Sequence, residues 1–238
     1  MYGWCIGSIK MKVCSIMQPT YLPWAGYFNL IAKANFFVFL DDAQLQKNSW
    51  HNRNQLLVNH SPHWITVPVR KKYLSQTIKE TEINVIKNWR KKHSLLIHNV
   101  YCKHPFAKDI LDICTLIEED ESTNLASLNI KLILWFLDKL DIRTEIFLSS
   151  ALEVKGKRSI RLIEILNKLQ ADLYLSPNGA MDYLKEDNFS SQTTVNLAYQ
   201  KFNPKPYEHY KHQYFQSNLS TIDVVANLGW AATRDYIF

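Results

Sequence analysis

Apolar positions along the 238-residue chain alternate between two rhythms. A short apolar run over Lys12 to Met17 stops ahead of Pro19 and predicts a first strand. Beyond a loop, Phe28, Leu30, Ile31 and Ala34 recur at near-helical spacing, which predicts a helix from about Gly26 to Ala34. Phe36 to Leu40 is a continuous apolar run ending on Asp41-Asp42, the pattern of a parallel strand buried on both faces. Trp64 to Val69 alternates well enough for a third strand, and Ile78 to Ile83 for another short one. Helical periodicity then takes over across Val85 to Cys102, Phe106 to Glu118 and Leu125 to Leu140, with Ser122 or Thr123 placed to cap the last. Strand and helix alternate again afterwards. Thr144 to Leu148 reads as a strand, Ser159 to Leu169 as an amphipathic helix, Asp172 to Leu175 as a strand and Val195 to Tyr199 as another. Ser220 through Leu228 closes the chain as a helix capped by Ser220.

Strands that alternate with helices predict an α/β fold with a mostly parallel sheet. Residues 85–140 then form a helical insertion or subdomain within a single domain of residues 11–238, because no linker-like composition flanks them. Met11-Lys12-Val13 has the look of a natural start, so residues 1–10 read as an N-terminal extension. That extension lacks a basic segment followed by a sustained apolar run, so no secretory signal is expected.

Composition narrows the class. An apolar share of 47% and a charged share of 21% are those of a globular protein. No stretch approaches the roughly 20 apolar residues that would span a bilayer. The most apolar helix, Leu128 to Leu140, is broken by Lys131, Asp138 and Lys139 and reads as a core helix. The four cysteines Cys5, Cys14, Cys102 and Cys114 share no CxxC spacing and are expected to be buried free thiols of a cytoplasmic protein. No His/Cys pair has ligand spacing on a turn, so no metal site is expected. The net charge of +6 gathers in Arg70-Lys71-Lys72, Arg90-Lys91-Lys92-His93 and Lys155-Gly156-Lys157-Arg158. It favours an anionic partner, although each run taken alone reads as a solvated face.

Five segments carry candidate chemistry. The loop from Gln18 to Tyr27 joins the first strand to the first helix, where α/β proteins place ligand sites. Gln18 and Tyr21 are its polar handles, Gly26 opens the helix, and the aromatic area of Tyr21, Trp24 and Tyr27 either roofs the core or lines a pocket. The second segment is Asp41-Asp42 at the end of the second strand. One carboxylate there could hold Mg²⁺ through water, or bind a sugar hydroxyl or an amine, or else Asp42 caps the next turn. In the third, Lys47, Asn52 and Arg53 supply a point charge, an amide and a planar fork suited to phosphate or carboxylate, with Trp50 expected to be buried nearby. The fourth is a helix face bearing Trp89, His93, Ile97 and Tyr101, where His93 is either a satisfied core residue or a general base. The fifth is Ser176-Pro177-Asn178-Gly179, a turn after a strand that brings Asn178 toward the ligand end of a sheet. GxSxG, Walker A, GxGxxG and HExxH are all absent.

Gln18-Pro19-x-Tyr21-Leu22-Pro23-Trp24-x-Gly26-Tyr27-Phe28, followed by the strand into Asp41-Asp42 and by Gln44, Lys47, Trp50 and Asn52-Arg53-Asn54, resembles the WbqC-like family. The resemblance runs from Met11 through Pro68, the Arg161-Leu162-Ile163 helix, and Tyr174-Leu175-Ser176 with Gly179 and Tyr183-Leu184. It implies a bacterial protein of surface-polysaccharide or O-antigen gene clusters, and no settled reaction. The spacing from Pro19 to Asp41 also resembles the nucleotidyltransferase superfamily that includes pantothenate synthetase, which implies a Rossmann-like sheet. In that superfamily an HxGH motif supports phosphates. Here the matching positions are Trp24-Ala25-Gly26-Tyr27, and loss of two such donors speaks against adenylyl transfer.

Three functions follow as expectations. The first is a transferase that acylates or aminoacylates a nucleotide-linked amino sugar. Its sugar or base would lie on Gln18, Tyr21 and Trp24, its amine on Asp41, its phosphate on Lys47 and Arg53, with His93 as base. Gly26, Tyr27, Asn52 and Asn178 would complete the binding set. The second is a non-catalytic protein that recognises a nucleotide-sugar or anionic glycan intermediate. The third, nucleic-acid binding, ranks last for want of a motif or a continuous basic stripe. No cofactor is identified by the sequence.

Overall fold

The computed structural model describes residues 11–85 and 88–238. The extension expected over residues 1–10, with Cys5, lies outside the described residues, as do positions 86 and 87 near the start of the first long helix.

Five strands make one parallel sheet: β1 (Val13–Met17), β2 (Phe36–Phe39), β7 (Glu145–Leu148), β8 (Leu173–Ser176) and β9 (Asn196–Tyr199). Their spatial order is β7-β2-β1-β8-β9. Every neighbouring pair runs parallel. The chain therefore builds outward from β1 in one direction, then returns to β1's other edge and builds the opposite way. That reversal between β1 and β8 is the switch point of a Rossmann-like α/β sheet.

Both faces of the sheet are covered, and the strand sequences show why. Phe37 and Phe39 project into one core with Phe28 and Ile31, while Val38 joins Cys14 and Ile16 in another. Alternating residues of an apolar strand thus serve two layers. The first layer holds α1 (Ala25–Ala32), α2 (Trp89–Tyr101), α3 (Leu111–Glu118), α4 (Leu125–Lys139) and α7 (Thr221–Ile237). Phe136 of α4 meets Phe28 of α1 with ring centroids 5.2 Å apart. The second layer holds α5 (Arg158–Lys168) and α6 (Met181–Glu186).

Between the adjacent strands β2 and β7 the chain makes a long excursion. It carries two antiparallel hairpins as well as α2, α3 and α4. The first hairpin pairs β3 (Arg53–Val58) with β4 (Ser61–Thr66), and the second pairs β5 (Val69–Arg70) with β6 (Glu82–Ile83).

This corrects the expected third strand over Trp64 to Val69. The pairing begins earlier, stands apart from the main sheet, and turns on Asn59-His60, both at positive φ (46° and 66°). A two-residue turn with both residues left-handed matches strand twist and tolerates Asn first. The strand expected over Ile78 to Ile83 shrinks to Glu82–Ile83. Asn124, not Ser122 or Thr123, caps α4, its Oδ1 accepting from Ser127 N at 2.9 Å. The Ser220 cap stands as read, with Oγ accepting from Ile222 N. Cys102 is exposed, unlike the buried Cys14 and Cys114. Burial pushes the Cys14 thiol up to about 12 and the Cys114 thiol up to about 11.

The last helix runs beyond Leu228 to Ile237 through a kink at Gly229, where φ is 72° and ψ 171°. A Cβ at Gly229 would lie 2.6 Å from the Phe106 ring. Gly229→Ala combines a left-handed backbone with a steric clash, and we expect it to lower stability by about 2 kcal/mol or more in urea denaturation. A neutral result would show that the kink relaxes freely.

Candidate functional site

A cavity of about 630 Å³ opens at the switch point. Its floor is Ile16, Met17 and Gln18 at the carboxyl end of β1, with Tyr174 from β8 and Pro177, Gly179 and Ala180 just beyond it. Its walls are Pro23, Trp24 and Tyr27 from the first loop, Gln46, Ser49, Trp50, His51 and Asn54 from the segment leading into β3, Leu162 of α5 and Tyr183 of α6. No Asp, Glu, Lys or Arg lines it among the described residues. Amides, hydroxyls and aromatic faces do, which is the composition of a small-molecule site that reads shape and hydrogen bonds more than charge.

Several polar groups on the wall are uncommitted. The side chains of Gln18, Thr20 and Gln46 make no hydrogen bond among the described residues. Others are spent on the wall itself. Asn54 Nδ2 donates to the Tyr21 and Leu22 carbonyls at 3.2 and 2.7 Å, and its Oδ1 accepts from Gln55 N. Leu22 sits at φ 45°, a strained left-handed position that this amide helps to hold. Asn129 of α4, fully buried, donates to the carbonyls of Pro19 (3.1 Å) and His51 (2.7 Å) and so ties both loops together. Tyr27 Oη donates to the Gln18 carbonyl at 2.9 Å, leaving only its lone pairs for a ligand.

Gly26 has a packing role. An added Cβ would lie 2.3 Å from the Trp24 ring, which packs against the first turn of α1. No side chain caps that turn.

Among the described residues, His51 is the one imidazole on the wall. Burial pushes it down to about 4, so it is neutral at pH 7. Its Nδ1 faces the Gln46 N–H at 3.4 Å, which places the proton on Nε2 and makes that edge a donor.

The residues singled out from the sequence divide into three groups. Gln18, Trp24 and Tyr27 line the cavity, with Gly26 packed behind Trp24. Asn178 is exposed between two lining residues. The remainder lie elsewhere. Tyr21 is fully buried and its hydroxyl meets His93 Nδ1 at 2.9 Å, while the other edge of that imidazole is engaged by the Thr66 backbone. Burial pushes His93 down to about 4 as well. Asp41 is buried against Ser150, accepting from its N at 3.0 Å and its Oγ at 2.7 Å, and thereby closes the turn after β7. Asp42 pairs with Arg161. Asn52 donates to the Val67 carbonyl at 2.9 Å. Arg53 bonds the Asn48 carbonyl and lies 4.0 Å over the Trp64 ring. Lys47 is exposed and away from the wall. The expectation that Trp50 is buried is corrected: it lines the cavity but is 46% exposed, because its outer neighbour is another surface tryptophan.

Thr20, Gln46, Ser49, His51, Asn54, Tyr174, Tyr183 and Asn218 are wall residues that sequence reasoning did not single out. The polar density of Gln44 to Asn54 offered a signal for some of them, and Asn54, Tyr174 and Tyr183 entered only among the residues that carry the family resemblance.

Residues 18–235 match the sequence model of the WbqC-like protein family. A protein of Mycobacterium tuberculosis described as the uncharacterized protein Rv1507c is 32% identical over 231 residues, covering 95% of this chain and 98% of that protein. No solved structure matches the chain. Among the described residues no helix is long and apolar enough to cross a membrane.

Two outcomes follow from the wall's construction. Asn129→Leu keeps the branched outline of the side chain but leaves two buried carbonyls without donors, so we expect a loss of about 2–4 kcal/mol in urea denaturation. An unaffected midpoint would mean water replaces the amide. His51 and His93 are held neutral when folded but titrate near 6.5 when unfolded. Their contribution is complete above about pH 6.5 and drains away as pH falls toward 4. Between pH 7 and 5, His93→Gln should flatten the stability slope by up to about 1.4 kcal/mol per pH unit, one proton's share. An unchanged slope would show that His93 is not held neutral.

Proposed function

The chain belongs to the WbqC-like protein family, and from that premise we propose that it recognises the glycosyl part of a nucleotide-linked amino sugar during assembly of a bacterial surface polysaccharide such as O-antigen. The observation that carries this reading is the uncharged wall of the switch-point cavity. A pyranose ring presents hydroxyls and an amide to hydrogen-bonding groups and an apolar face to aromatics. Gln18, Thr20 and Gln46 supply open donors and acceptors, His51 Nε2 a donor, and Trp24, Trp50, Tyr174 and Tyr183 the faces. A bare phosphate or carboxylate would find no cation there. A volume of about 630 Å³ accommodates one hexose derivative with room for its linkage.

Recognition without chemistry suits this wall better than group transfer. Acylation of a sugar amine requires a base that removes its proton. Burial keeps His51 neutral, with its free edge acting as donor, and His93 and Asp41 are spent on Tyr21 and Ser150. In this reading those two residues position loops. A transferase acylating or aminoacylating the sugar remains the second reading, supported by the uncapped start of α1 beside the cavity, where amide N–H groups stabilise developing negative charge. Either activity belongs to the cytoplasmic stage of assembly, where nucleotide-linked precursors are used.

The test uses calorimetric titration with nucleotide-linked N-acetylhexosamines. Gly179 has open space where its Cβ would stand and lacks a left-handed backbone, so Gly179→Trp should fold normally and fill the cavity. We expect it to abolish binding of the sugar portion, and Gln18→Ala to weaken binding about tenfold, the loss of one good hydrogen bond. Binding that is indifferent to both substitutions would exclude the cavity as the sugar site.

A further inference from the structure

Beside the mouth of the cavity two tryptophans lie on the surface. Trp50, on the wall, is 46% exposed, and Trp64, on β4, is 38% exposed. Their ring centroids are 5.0 Å apart at an interplanar angle of 48°. Exposing two adjacent indoles in water costs free energy that burial would recover. The hairpin's alternation makes the exposure of Trp64 obligatory. Asn54, Leu56 and Ile65 fill its inward face, so Trp64 and its cross-strand partner Gln55 stand on the outward one.

Trp64 is also held in place. The Arg53 guanidinium stacks 4.0 Å from its ring centroid, and that Arg is anchored through the Asn48 carbonyl. A loose surface indole needs no such brace. A platform that a ring will stack on benefits from one, since the side chain is already ordered before binding.

The charge around the platform differs from that inside the cavity. Between Ala43 and Ile78 the sequence contains Lys47, Arg53, Arg70, Lys71 and Lys72 and no Asp or Glu. Arg70 and Lys72 reach Glu82 from the next strand, but neither Lys47 nor Arg53 meets a carboxylate among the described residues. Lys47 is exposed in the same loop as Trp50, three positions away. A neutral pocket thus opens onto a cationic, aromatic shelf.

We propose that the Trp50–Trp64 shelf binds the nucleoside diphosphate of the same ligand, with the base stacked on the indoles and the diphosphate beside Lys47 and Arg53. The inference rests on the glycosyl reading of the cavity and extends it outward. Continuity of Trp50 with the cavity wall fixes the order: sugar inside, diphosphate at the mouth, base outside. A second sugar or an acyl chain would also use aromatic surface, but neither calls for a guanidinium and an ammonium carried beside it, as Arg53 and Lys47 are. Stacking is tolerant of base identity, because every base presents a π face. Selectivity for one nucleotide is therefore not expected from the indoles themselves.

Titration of the full chain with UDP, GDP, CDP, dTDP and ADP, with inorganic pyrophosphate, and with the neutral disaccharide N,N'-diacetylchitobiose tests this. At least one nucleoside diphosphate should bind, and more tightly than pyrophosphate or the disaccharide. Trp64→Ala should weaken it at least fivefold, with Trp64→Phe recovering part of the loss. Lys47→Ala should weaken binding and flatten its salt dependence. Gly179→Trp should leave nucleoside diphosphate binding unchanged, which separates the two sites.

If Trp64→Ala is without effect while Gly179→Trp still blocks a nucleotide-linked sugar, the shelf assignment is overturned and the cavity reading stands. If nucleoside diphosphates bind through Trp64 but an attached sugar adds no affinity, the shelf stands and the cavity reading fails. A single-stranded oligonucleotide that binds far more tightly than any mononucleotide, with a steep salt slope, would overturn the diphosphate assignment in favour of a polymer.

Discussion

Buried carbonyls of irregular backbone are the constraint on which the candidate site depends. A cavity at the end of a strand must be walled by loops, and loops cannot pair their own carbonyls as strands and helices do. Here side-chain amides from distant parts of the chain supply the missing donors. Asn54 serves Tyr21 and Leu22 and Asn129 serves Pro19 and His51, while Gln200 ties down the start of α1, reaching the Gly26 carbonyl at 2.7 Å and the Asn29 side chain at 2.8 Å. Each amide joins two segments that no regular ladder connects. Satisfaction is not complete, since Asn129 Oδ1 is buried without a partner. The wall is consequently rigid where it is buried and open only where Gln18, Thr20 and Gln46 face the cavity.

The rest of the molecule supports that arrangement from behind. Asp223, fully buried on α7, accepts from Tyr101 of α2 at 3.0 Å and from Tyr207 at 2.8 Å, with His209 Nδ1 at 2.9 Å. One carboxylate thereby holds the last helix, a helix of the excursion and the segment before α7 together. Thr221 N donates to the Pro23 carbonyl and Ser220 N to that of Gln55, which brings Asn218 to the edge of the cavity. Charge is kept in these supports and on the surface. The wall between them is neutral.

Much of the fold was legible because its signals are local. The apolar runs of β1 and β2 and the periodicity of α4 and α5 identify themselves within a few residues. β3 was hidden because its Arg53, Asn54 and Gln55 extend a polar stretch, and only the Asn59-His60 turn marks the hairpin. The site was half legible for a different reason. The first loop revealed that a ligand end was being built, but Tyr21, Trp24 and Tyr27 look alike in sequence, and only packing decides that Tyr21 turns inward to His93. Asn129 and Asn218 carry no local mark at all, since they matter through what they reach across the fold. Trp50 misled by its type: a large indole suggests burial, and here its partner is a second exposed indole.

The excursion between β2 and β7 has a consequence for how the chain is made. These strands are neighbours in the sheet, yet Asp41 and Ser150, which clasp their ends, are 109 residues apart. At ribosomal speeds of about 5–20 residues per second, β2 waits roughly 5–20 s before its partner exists. For that interval a strand of sequence Phe-Phe-Val-Phe offers an open edge, the kind of segment that pairs with other chains. The helices and hairpins of the excursion appear in the meantime and can shield it. A part of the chain that looks dispensable to the sheet is thus what exists beside that edge until β7 is made.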